Sequence, residues 1–118
     1  MNSEQMKTRT KKYALRIIKL VESLPNTKTA NVVGNQLLRS ETSVGANYRA
    51  SCRAKSTADF INKLAIVEEE ADESMYWIEL LVESGQIKEN LVEDLHNETN
   101  EILSIIVSSI KTSKQKRN

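Results

Sequence analysis

Apolar residues recur along the chain at helical spacing, in four blocks separated by three breaks. The first block carries Ala14, Ile17, Ile18, Val21 and Leu24, and the second Val33, Leu37, Val44 and Tyr48 with small residues between them. The third is the most regular, with Phe60, Leu64, Val67, Ala71, Met75, Ile78 and Val82 in steps of three and four. The fourth has Leu91, Leu95, Ile102, Ile106 and Ile110. Pro25 makes the first break, because its ring drives Leu24 out of helical geometry. The second falls at Arg53 to Ser56, where Ser56 can cap a new helix with Asp59 three residues on. Gly85 makes the third and suits the left-handed position just past a helix end. The predicted helices span about residues 8–23, 29–54, 57–84 and 88–112, leaving Ser113 to Asn118 as a frayed basic tail. Short connections between long helices favour antiparallel neighbours. The expected fold is therefore all-α, an antiparallel up-down-up-down four-helix bundle forming one domain over residues 1–118.

Composition narrows the picture further. Three Gly and one Pro leave too little turn chemistry for a β-sandwich, and the five aromatic residues imply an aliphatic core. The single Cys52 excludes an internal disulfide and fits a reducing compartment. No apolar run approaches the ~20 residues that span a bilayer. The first residues, MNSEQMKTRTKK, lack the apolar stretch of a secretory signal. A cytoplasmic location with no membrane partner is the expectation.

The third helix carries a second apolar surface. With its core stripe centred near Leu64 and Ile78, Ile66, Trp77 and Leu80 project to roughly the opposite side. Only Glu79 is polar between Met75 and Val82. A monomeric bundle cannot bury both sides, so these three residues are a candidate subunit interface. The alternative is that Trp77 folds over a neighbouring helix of its own subunit.

Catalytic and metal chemistry finds little support. The carboxylates of Glu68, Glu69, Glu70, Asp72 and Glu73, with Glu93 and His96 spaced i, i+3, invite comparison with di-iron bundles. Such sites need two Glu-x-x-His pairs, and this chain has one histidine. Cys52 and His96 have no orienting third group in the sequence. Gly34 and Gly45 lie too far apart to form a phosphate loop. No catalytic residue, metal or cofactor is expected. Arg39, Ser43 and Asn47, in steps of four, form one line on the second helix beside Ala46 and Ala50. Either this line is an exposed polar face or it bonds across helices, with Arg39 meeting Glu69, Glu70 or Glu73.

The stretch Leu38-Arg39-Ser40-Glu41-Thr42-Ser43-Val44-Gly45-Ala46-Asn47-Tyr48-Arg49-Ala50, with Phe60 to Leu64 and Glu68 to Ser74, resembles a bacterial four-helix-bundle family. Its members are encoded by intervening sequences in large-subunit ribosomal RNA genes, and accessory proteins of diversity-generating retroelements are relatives. The resemblance extends over about residues 11–112, including Leu24-Pro25 and Ile110-Lys111-Thr112. The family's recurring Arg, Ser and Asn in steps of four fall on Arg39, Ser43 and Asn47 as structural polar residues. The resemblance implies a homopentamer arranged as a barrel. Its retroelement branch implies binding of nucleic acid and a reverse transcriptase, although this chain, at net charge +1, is less basic than a dedicated nucleic-acid binder.

Net charge conceals a polarity. In an up-down-up-down bundle, residues 1–16, 49–63 and 111–118 share one end. That end holds thirteen cations against Glu4 and Asp59, a net of +11, and the remainder carries −10. Cations at the ends of the second and fourth helices complement the helix dipole, but those at the start of the first oppose it. A concentrated basic end is the electrostatic footprint of phosphate binding. The candidate nucleic-acid contacts are Lys7, Arg9, Lys11, Lys12, Arg49, Arg53, Lys55, Lys111 and Lys114. The sequence thus points to a non-enzymatic, homo-oligomeric scaffold with RNA or DNA as partner; the alternative is a protein-binding adaptor using the acidic end.

Overall fold

The computed structural model describes residues 1–117 and contains four long helices, with no strand among those residues. They are α1 (Ser3–Glu22), α2 (Lys28–Ser51), α3 (Thr57–Glu83) and α4 (Glu93–Arg117), with a short 3₁₀ turn at Glu89–Leu91. Each start has a physical cause. Asn2 and Gln5 form a reciprocal capping box before α1, with the Asn2 side chain accepting from the Gln5 N–H at 2.8 Å. Thr27 caps α2, and Ser56 caps α3 by accepting from the Asp59 N–H at 3.1 Å. Asp59 in turn accepts from the Lys55 N–H, which closes the α2–α3 connection. After α3, Gly85 takes φ +77°, and the Gln86 N–H returns to the Leu81 carbonyl.

Side-chain contacts establish the direction of every helix. Arg9 of α1 meets Glu98 and Glu101 of α4, whereas Tyr13, one turn on, meets Leu95 and Thr99. Rising numbers in α1 therefore run against falling numbers in α4. Arg39 and Ser40 of α2 meet Glu70, Glu73 and Ser74 of α3, while Tyr48 and Phe60 come together near the turn. Ser3, Ser51, Lys55, Thr57, Ser113 and Lys116 all border one depression at the end of the bundle. The molecule is an antiparallel four-helix bundle measuring 49 × 21 × 19 Å, with α1 and α3 on one diagonal and α2 and α4 on the other.

The core is aliphatic apart from Tyr13, built on Met6, Ile17, Leu37, Val44, Leu64, Val67, Ile78, Leu81, Ile102 and Ile106. Several sequence expectations shift. The buried stripe of α1 is Met6, Thr10, Tyr13, Ile17 and Leu20, so Ala14 and Ile18 flank it. α1 begins five residues earlier than the hydrophobic pattern indicated, because the capping box starts the helix and Met6 is its first core residue. Leu91 belongs to the 3₁₀ turn and is 64% exposed, because α4 starts only after it. Residues 113–117, expected as a tail, continue α4, with Ser113 half-buried against the end of the bundle; Asn118 lies outside the described residues.

Two glycines give opposite expectations. Gly85→Ala places a side chain at φ +77° and should cost about 1 kcal/mol. Gly45 is helical, and a Cβ there would stand an ordinary 3.7 Å from Thr10, so Gly45→Ala should gain up to about 1 kcal/mol from helix propensity. Urea unfolding of the two variants checks both signs.

Candidate nucleic-acid interface

At the basic end, α1 and α2 enclose an open groove of about 450 Å³ whose charged lining is Lys7, Lys11, Arg49 and Arg53 with one acid, Glu4. Its floor is made of Thr10, Ala14, Thr42, Gly45 and Ala46, all too small to fill it. Small residues at these positions let the two backbones approach while the long cations stand at the rims. Lys7 forms a 3.0 Å pair with the exposed Glu4 one turn away; Lys11, Arg49 and Arg53 form no ion pair among the described residues. No aromatic ring lines the groove. It offers rotatable point charges suited to phosphate oxygens and no platform for stacking bases.

The other candidate cations do not form one surface. Arg9 is occupied: it holds Glu98 through two bonds of 2.7 and 2.6 Å and Glu101 at 3.0 Å. Its hydrogen bond to Glu98 is the chief influence keeping that carboxyl below the usual range. Arg9 thus ties α1 to α4, its guanidinium engaged by two carboxylates. Lys12 is exposed on the outer side of α1. Lys55 borders the end depression with Lys116, and Lys111 and Lys114 are exposed on the last turns of α4.

The pattern of known relatives matches this architecture. A family model described as 23S rRNA-intervening sequence protein matches residues 3–108. The chain belongs to that family. A crystal structure of a protein of unknown function, from the S23 ribosomal protein family of Bacteroides thetaiotaomicron, superposes with a TM-score of 0.87. The two are 40% identical, over 94% of this chain and 99% of that one. Among curated proteins, none matches.

The polar line of α2 divides in two. Arg39 is half-exposed and bridges to Glu70 at 3.0 Å and to Glu73. Glu73 also accepts from the Trp77 indole N–H at 3.1 Å, so α2 reaches the tryptophan through one shared carboxylate. Ser43 and Asn47 bond to each other along α2, with the Asn47 amide donating to the Ser43 hydroxyl at 2.8 Å and carbonyl at 2.9 Å. Of the candidate interface residues, Ile66 is exposed, while Trp77 and Leu80 are half-buried. Trp77 leans on the core of its own subunit, which tethers it inward more than the helical period suggested. His96 meets Glu79 at 3.1 Å, at the opposite end from Cys52. Among the described residues no three metal-ligating side chains converge, and no helix is long and apolar enough to cross a membrane.

One residue escaped the sequence reading altogether. Glu41 is fully buried on the core side of α2, and neither carboxylate oxygen has a hydrogen-bond partner. Ser74 of α3 spends its hydroxyl on the Glu70 carbonyl and on Ser40, both at 2.8 Å. On the α1 and α4 side, Tyr13 bonds to Thr99 and the Leu95 carbonyl instead. Burial pushes the Glu41 carboxyl up to about 9, with the Glu98 charge adding to the effect. The signal was present in its position, four after Leu37 and three before Val44.

Two predictions follow from these contacts. Below the ordinary carboxylate range, Glu41 is protonated whether folded or unfolded. From there up to about pH 9 only the unfolded chain ionises, so stability should fall as pH rises. Glu41→Gln should flatten that slope in denaturant titrations between pH 5 and 9, and Glu41→Met should raise stability at pH 8 by about 1–3 kcal/mol. Arg39→Ala should cost only ~0–1 kcal/mol because the pair is half-exposed. Arg9→Ala should cost more, since its Glu98 partner is four-fifths covered. An equal shift in thermal midpoint for the two would contradict the assignment of Arg9 as the tie between α1 and α4.

Proposed function

We propose that this chain is a non-enzymatic, self-associating helical scaffold that holds RNA or DNA by its phosphate backbone at the basic end. The observation that carries the reading is the α1–α2 groove, where Lys7, Lys11, Arg49 and Arg53 converge over a floor of small residues. The first turn of α1 carries Glu4, and Lys7 and Lys11 follow it on the next turns, facing the groove. Membership of a family named for an rRNA intervening sequence is consistent with an RNA-linked role. Self-association is supported by the apolar residues left on the outside of α3, Ile66 and Tyr76, with Leu80 half-covered. Five copies is the stoichiometry expected from the family resemblance.

Binding of this kind is steeply salt-dependent and weakly sequence-dependent, because each neutralised phosphate releases counterions. Affinity for a labelled single-stranded or duplex RNA should fall sharply between about 50 and 200 mM salt. Replacing Lys11, Arg49 and Arg53 with Gln should reduce the salt slope by about 0.7–0.9 per lost phosphate contact, with helicity unchanged. Glu89→Gln with Glu93→Gln, at the other end, should leave it unaltered. A second reading rests on the α3–α4 groove, where Glu79, Glu83, Glu89 and Glu93 surround Ile78, Val82 and Val92. That groove suits a basic, partly apolar protein segment. If the wild-type protein binds no nucleic acid even at about 50 mM salt, the adaptor role on this acidic groove replaces the nucleic-acid role.

A further inference from the structure

The groove between α1 and α2 holds no aromatic ring, but the depression at the end of the bundle holds two. It measures about 530 Å³, with Tyr48 and Phe60 in its wall and Lys55 and Lys116 at its border. Both rings are half-buried and pack against the core, which fixes their positions. Burial, with the Cys52 thiol beside it, pushes the Tyr48 phenol up to about 12, so that ring stays neutral near pH 7. Both lysines are exposed and form no ion pair among the described residues. Asp59, the acid nearest Lys55 in sequence, is taken by Lys63 at 2.7 Å, and no acid lines the depression. The hydroxyls of Ser3, Thr57 and Ser113 line it as well and bond to nothing else among the described residues.

These groups ask for a ligand with three matching parts. A ring held by packing is a platform for another flat π system, free lysines take phosphate, and unspent hydroxyls take the polar edge of a base. A nucleotide carries all three. The place of the depression fits the same chemistry. Tyr48 and Cys52 border it, whereas Arg49 and Arg53, the next residue in each case, line the groove. Successive residues of a helix stand about 100° apart, so the two sites are adjacent faces of the same final turns of α2. A strand whose phosphates lie along Arg49 and Arg53 brings a neighbouring base to Tyr48.

We propose that the end depression receives one unpaired base of a nucleic-acid strand, stacked on the Tyr48–Phe60 wall, with Lys55 and Lys116 on its flanking phosphates. This deepens, and rests on, the reading of the α1–α2 groove as a phosphate-backbone site. A base inside a duplex is already stacked on both faces, so the depression selects single strands, strand ends and bulges. The groove alone makes no such distinction. Every base has a π face, so the selection is for unpaired structure and not for sequence.

An abasic strand tests this, because it keeps every phosphate and lacks the bases. At one salt concentration, wild-type protein should bind an oligodeoxyadenylate of about twelve nucleotides roughly tenfold tighter than an abasic strand of equal length, with the same salt slope. Tyr48→Leu and Phe60→Leu keep an apolar side chain against the core and remove the π face. Each should lower the affinity for oligodeoxyadenylate toward that for the abasic strand, with abasic binding and helicity unchanged. Tyr48→Phe, which keeps the ring, should behave as wild type. Equal binding of the two strands by wild type, or a preference that both Leu variants retain, would overturn the base site and leave the phosphate groove standing. No binding of either strand at about 50 mM salt would overturn groove and base site together. AMP that binds alone as tightly as the strand, and is lost in the same Leu variants, would make the depression a free-nucleotide pocket and overturn its assignment to a strand.

Discussion

Short connections between long helices are the constraint on which the rest of this molecule depends. A helix of 20–27 residues is about 30–40 Å long, whereas residues 23–27 and 52–56 allow the chain little more than a reversal. Each helix must start beside the end of the one before. The start of α1, the end of α2, the start of α3 and the end of α4 then share one end, whatever their side chains prefer. Because the cations of the sequence are concentrated in those four stretches, the connectivity turns a nearly neutral chain into a strongly polar bundle. The concentration survives despite mutual repulsion. A concentration of like charge that works against stability is the ground on which a binding role for this end is proposed.

The interior shows a second departure from the most stable arrangement. A bundle of this size could be aliphatic throughout, yet Thr10, Ser40, Glu41, Ser74 and Thr99 are all buried. Most of these satisfy themselves locally. Thr10, Ser40, Ser74 and Thr99 donate to carbonyls three or four residues back in their own helices, and Tyr13 borrows the Leu95 carbonyl of α4. Ser40 and Ser74 also let α2 and α3 approach closely, which serves the tightest helix pair in the bundle. Glu41 alone is left without a partner, held neutral by the same burial that makes its ionisation costly.

Much of this was legible in the sequence, for identifiable reasons. Helix number and type followed from the period of the apolar residues, and two of the three breaks acted through the chemistry that named them, Ser56 as a cap and Gly85 at positive φ. The charge polarity needed only the connectivity, so it was accessible before any side chain was placed. What was missed depends on tertiary surroundings. The period located the stripe of α1 one residue off, because Thr10 and Tyr13 are buried with their polar atoms satisfied and do not read as core. Glu41 stands on the apolar stripe of α2, but a carboxylate is read as surface unless its environment is known. The α1–α2 groove was accessible only as a set of cations. That Arg9 is withdrawn from it by two acids on α4, while Arg49 and Arg53 remain at its rim, is a matter of packing.

The central claim is that the α1–α2 groove is the surface that meets the phosphate backbone. Amide hydrogen exchange of the protein with and without a short RNA tests it most directly, because it maps contact along the whole chain at once. Protection should rise over residues 7–14 and 42–53, which line the groove, and stay unchanged over residues 79–97, which line the acidic one. Protection confined to residues 79–97, or no change anywhere at a salt concentration where RNA is bound, would contradict the account.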